Sequence, residues 1–184
     1  MEMKVAIVSP WNDCCGIAVH AKLISMGLKK RDHDIVVFAP IHDRIYGRLP
    51  LDVKDEPFVY RNWEMYAYGD TIYDESSLNL FFDPRPLIEE DYDVILFEKP
   101  CTMPLGKISK IFDDIKRKAV TIAIMHEGTN PINVNFHRLD FHAYCVFDKR
   151  YLELYRSWII HKKAYIVPFP CHPVIEGDME EPRE

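Results

Sequence analysis

The chain has 184 residues, 48% of them hydrophobic and 28% charged, with 7 glycines against 13 prolines and a net charge of −6. That length fits one domain with a sizeable core, and the composition excludes disordered, collagen-like and repeat architectures. The acidic balance argues against a nucleic-acid-binding domain, which needs a basic stripe. No stretch approaches the roughly 20 apolar residues of a membrane span, and Met1-Glu2-Met3-Lys4 leads straight into a strand. A cytoplasmic location without signal peptide or membrane span is therefore expected. Five scattered cysteines, Cys14, Cys15, Cys101, Cys145 and Cys171, predict neither a disulfide framework nor a metal site, because a tetrahedral site needs four well-spaced ligands.

Apolar, β-branched runs alternate with helical patterns, the signature of βαβ units. Strands are predicted over Lys4–Pro10, Ile35–Pro40, Phe58–Trp63, Val94–Glu98, Val120–Met125, Ala143–Phe147 and Tyr165–Phe169. Several runs are continuously apolar, as in parallel strands covered on both faces. Between the first two, Ile17, Ala21, Ile24 and Leu28 form one helical stripe that ends in Lys29-Lys30-Arg31, where cations favour the dipole. A second stripe runs from Leu105 to Ile115, and a third from Arg150 to about Ile159. Residues 41–57 read as a long loop, and 66–91 as one or two helices broken by Pro84 and Pro86. The pattern predicts an α/β fold, a doubly wound, mostly parallel Rossmann-like sheet of about seven strands. The domain spans 1–175, and 176–184 reads as a polar tail or the start of a linker.

In such a sheet ligands bind beyond the carboxyl ends of the strands, where strand order reverses. Two segments there carry chemistry. Trp11 to His20 passes from the first strand into the first helix. Gly16 would let an anion approach the free N–H groups of the first turn, and His20 could reach the same anion. One glycine makes neither a dinucleotide fingerprint nor a phosphate loop. The second segment is His126-Glu127-Gly128 after the fifth strand. With strand order 3-2-1-4-5-6, His126 would stand near the Gly16 loop, where an imidazole can share a proton near neutral pH. Glu98, at the end of the fourth strand, is a candidate contact for a hydroxylated ligand. Tyr60, Trp63, Tyr66, Tyr68 and Tyr73 could stack on a sugar but read more simply as packing of an insertion.

The opening Lys4-Val-Ala-Ile-Val-Ser-Pro-Trp11 with Cys15-Gly16-Ile-Ala-Val-His20 resembles the start of retaining glycosyltransferases of the two-domain GT-B type, the glycosyl transferases group 1 superfamily. Thr121-Ile-Ala-Ile-Met-His126-Glu-Gly128 is similar to their fifth strand, and Lys163-Ala-Tyr-Ile-Val-Pro-Phe-Pro170 to the strand before their domain crossover. The resemblance implies an acceptor-side N-terminal domain acting on a nucleotide-sugar donor and a small-molecule acceptor, with no cofactor and no metal. It implies His126 at the reacting centre, with Gly16, His20, Glu127, Glu98 and Trp11 as substrate-binding positions. Cys15-Gly16 stands where many members have two glycines. The C-terminal donor domain, with its paired glutamates, is expected from another stretch or chain. Without it, the domain should be silent, and its uncovered face could self-associate. Two other readings remain open: a stand-alone sugar-phosphate-binding or regulatory module that has lost transfer, and a different small α/β enzyme with His126 as base.

Overall fold

A computed structural model describes residues 2–43, 53–65, 79–126, 139–154 and 163–170. The strands are β1 (Lys4–Val8), β2 (Asp34–Asp43), β3 (Val59–Met65), β4 (Val94–Glu98), β5 (Val120–Ile124), β6 (Ala143–Val146) and β7 (Lys163–Ile166). The helices are α1 (Gly16–Lys29), α2 (Arg85–Glu89), α3 (Leu105–Ile108), α4 (Phe112–Lys118) and α5 (Lys149–Leu154). All seven strands join one parallel sheet in the order β3-β2-β1-β4-β5-β6-β7. The fold is the Rossmann-like doubly wound α/β class that the pattern of apolar runs predicts. Strand order reverses between β1 and β4, which places the crevice of the fold there.

Side chains alternate across the sheet, so each strand feeds two cores. Val5, Ile7, Ile35, Val37, Leu96 and Ile124 pack on one face, against Ala21, Ile24 and Leu28 of α1. Ala6, Val8, Phe38, Ile95, Phe97 and Ala123 pack on the other, against Leu87, Leu105, Ile108, Phe112 and Ile115 of α2, α3 and α4. Phe112 and Phe141 meet edge-to-face at 4.9 Å in this second core, an arrangement the ring quadrupoles favour.

Several boundaries differ from the sequence pattern, and each has a local cause. β2 continues past Pro40 to Asp43, with register shifts around Pro40, which has no N–H for the ladder. β7 begins at Lys163 and ends at Ile166 because its partner β6 ends at Val146, and the prolines that follow cannot extend the ladder. The apolar stripe from Leu105 to Ile115 is two helices, not one. Between them Ser109 Oγ donates to the Gly106 carbonyl at 3.0 Å, and Lys110 and Ile111 make tight bonds to residues three back. Pro84 and Pro86 open α2, where a missing N–H costs nothing, and residues 66–78 of the expected helical segment lie outside the described residues. Among the described residues no helix is long and apolar enough to cross a membrane.

Candidate functional site

Strand parity decides what gathers at the switch point. Val94 and Leu96 of β4 face α1, and so does the next residue of that parity, Glu98. Ile122 and Ile124 of β5 face α1 as well, and His126 follows two residues on. Cys145 and Phe147 continue the same face from β6. On α1, His20 lies on the sheet-facing side with Ile24 and Leu28, at helical spacings of four and eight residues.

These elements converge on the Glu98 carboxylate, which is 0% exposed. His20 Nδ1 lies 2.9 Å from Oε1, and His126 Nε2 lies 2.5 Å from Oε2. The two imidazoles meet edge-to-face, with centroids 4.9 Å apart. Both are nearly buried, His20 at 2% and the His126 side chain at 8% exposure. Burial alone would push the Glu98 carboxyl up. The hydrogen bonds from His126 and His20 outweigh it, and the group is held below the usual carboxylate range. Glu98 is thus an anion with both oxygens engaged, not a solvated strand end.

Aromatic rings wall this cluster. Phe147 lies 5.4 Å from His20 and 5.0 Å from His126, and Phe169, just beyond β7, lies 4.9 Å from His20. Phe169 is 43% exposed, so it stands between the buried histidines and solvent. The three donor groups are also close enough to be considered for a divalent ion, with ligand atoms within 4.8 Å of one another. Each ring nitrogen, however, addresses its own carboxylate oxygen at hydrogen-bond distance, the geometry of two proton-bridged pairs.

The β1–α1 loop supplies the neighbouring wall. Cys15 is the N-cap of α1, and its Sγ accepts from the Ala18 N–H at 3.4 Å. Gly16 is exposed, and a Cβ there would meet nothing within 4 Å, so packing does not require a glycine. Trp11, placed among the ligand contacts on sequence grounds, is a core residue. It is 1% exposed, and its indole N–H donates to Glu56 at 2.8 Å. Glu127 lies outside the described residues, as do Tyr66, Tyr68 and Tyr73. Trp63 is buried and donates to the Phe38 carbonyl at 2.9 Å, a packing role, while Tyr60 is exposed.

Sequence reasoning missed the clamp that shapes this loop. Asn12 adopts the left-handed conformation (φ 50°) and donates to Asp55 at 2.9 Å. Arg61 of β3 grips the same carboxylate through Nε and Nη2 at 2.7 and 2.9 Å and donates to the carbonyls of Pro40 and Trp11. Burial pushes the Asp55 carboxyl up, but the bonds from Arg61 and Asn12 leave it lowered overall. The one available signal was a guanidinium in the middle of a strand, beside the aromatic Tyr60 and Trp63. The left-handed Lys99 (φ 53°) follows Glu98 directly, so both loops flanking the switch point carry a non-glycine residue in that region.

No protein-family model matches the sequence.

Proposed function

We propose that this chain is the acceptor-side half of a retaining glycosyltransferase, which moves a sugar from a nucleotide-activated donor to an acceptor hydroxyl. The observation that carries the reading is the position of His126. It lies just beyond the end of β5, two strands from β1, and contacts a buried carboxylate that also binds His20 of α1. An imidazole at the switch point of a doubly wound sheet is well placed to contact a ligand hydroxyl. The resemblance of the β1–α1 and β5 segments to the group 1 glycosyltransferases supports the same reading.

In this reading a second domain holds the nucleotide, and the N-terminus of α1 offers its dipole to the donor diphosphate across the cleft. His126 contacts the acceptor or the transferred sugar, and Gly16 is the point of closest backbone approach.

The test is a titration of the ¹⁵N-labelled chain with a hexose phosphate and with a nucleotide-activated hexose, alongside a sugar-transfer assay. Amide shifts centred on Gly16, His20 and His126, lost in His126→Ala, together with no transfer by the chain alone, are expected. Robust transfer by the chain alone, or shifts confined to another face, overturns the proposal.

A further inference from the structure

We infer that Glu98 is a positioning residue that sets the tautomers of both imidazoles at once, leaving Nδ1 of His126 as the nitrogen that accepts a hydrogen bond from a ligand hydroxyl. The assignment of the ligand as carbohydrate rests on the glycosyltransferase reading; the tautomer assignment rests on geometry alone.

A neutral imidazole has one N–H and one lone-pair nitrogen, and its surroundings decide which is which. An ionised carboxylate only accepts. The 2.5 Å contact therefore commits the His126 Nε2 to donating, and the 2.9 Å contact commits the His20 Nδ1 in the same way. The lone pairs then fall on Nδ1 of His126 and Nε2 of His20. Each ring uses its own oxygen, so neither displaces the other. The Phe147 and Phe169 rings that wall the cluster offer no competing acceptor of carboxylate strength.

Among the described residues, Cys145 on β6 is a further titratable neighbour of Glu98. Burial, and secondarily the Glu98 charge, pushes its thiol up, so it stays S–H and adds no charge at neutral pH. A histidine held by a carboxylate in this way is fixed in tautomer and in ring orientation, as with the outer partners of ligating histidines.

Long-range ¹H–¹⁵N spectra of the histidine side chains test this directly. The expected wild-type result is the Nε2–H tautomer at His126 and the Nδ1–H tautomer at His20. Glu98→Gln should abolish the single-tautomer signature at both rings together. His20→Asn should keep the Nε2–H tautomer at His126, because each ring uses its own carboxylate oxygen. Should Glu98→Gln fail to fold, the wild-type and His20→Asn spectra decide the matter. The Nδ1–H tautomer at His126, a single tautomer kept by either ring in Glu98→Gln, or a stoichiometric divalent metal retained on purification would overturn the inference. Adding a hexose phosphate should move the His126 Nδ1 signal in the wild type. If it does not, while the tautomers are as assigned, the carbohydrate reading falls and the role of Glu98 in setting the tautomers stands.

Discussion

His20 Nδ1 lies 2.9 Å from Glu98 Oε1, a contact between residues 78 positions apart that ties the first turns of α1 to the end of β4. Because β4 lies next to β1 in the sheet, this bond closes the switch-point crevice from the α1 side. It also gives a buried anion its second hydrogen-bond partner, without which the carboxylate would be expensive to desolvate.

The Glu98 cluster should make stability depend on acidity. Burial raises the carboxyl pKa, and the bonds from His126 and His20 more than reverse that, so the folded value lies below 4.5. Between the folded value and 4.5 the unfolded chain binds more protons, and stability therefore rises with pH. The contribution is complete above the unfolded value and is lost as pH falls through the folded one. Urea denaturation of wild type and Glu98→Gln over this acidic range should show a shallower pH slope in the variant. Parallel slopes would mean that Glu98 gains nothing from its two partners.

Trp11 should matter to folding and not to ligand binding. Truncating a fully buried indole to alanine is expected to cost about 3–5 kcal/mol, through lost burial and the cavity left behind. Trp11→Phe keeps most of the packing and removes one hydrogen bond from Glu56, which retains its ion pair with Lys22, at about 0.5–1.5 kcal/mol. Chemical denaturation gives these values, and hexose-phosphate titration of Trp11→Phe should reproduce the wild-type affinity. A large loss of affinity in a well-folded Trp11→Phe would return the ring to the binding site.

Arg61 should govern the order of the β1–α1 loop. Lysine keeps the charge but cannot reproduce the fork on Asp55 or reach the Pro40 and Trp11 carbonyls at the same time. Arg61→Lys is expected to lose about 1–2 kcal/mol, since the pair is only partly exposed and its bonds are charge-assisted. Amide hydrogen exchange should quicken between Asn12 and Cys15 while β5 remains as protected as before. Unchanged exchange in that loop would show that Asn12 and the helix cap order it unaided.

The amino-acid sequence by itself determined the alternation of strands and helices, because hydrophobic periodicity acts within one element: Val94 and Leu96 on one face, Ile95 and Phe97 on the other. It also marked the residues that follow β1, β4 and β5 as the places to look for chemistry, since parallel strands present their carboxyl ends to the same side. Element ends were less legible, because Pro40 acts on a ladder whose partner is distant in sequence and β7 can extend only as far as β6 does. What only the tertiary structure decided is which polar groups meet. Glu98 read as a ligand contact at a strand end and not as the buried anion between two histidines, Trp11 as a ligand contact, and Arg61 as nothing in particular. Their partners lie 28 to 78, 45 and 6 to 50 residues away respectively. Strand order and strand parity bring those distant groups within hydrogen-bond range, and burial then makes the pairing obligatory, because an unpaired carboxylate or guanidinium out of water is too costly to keep.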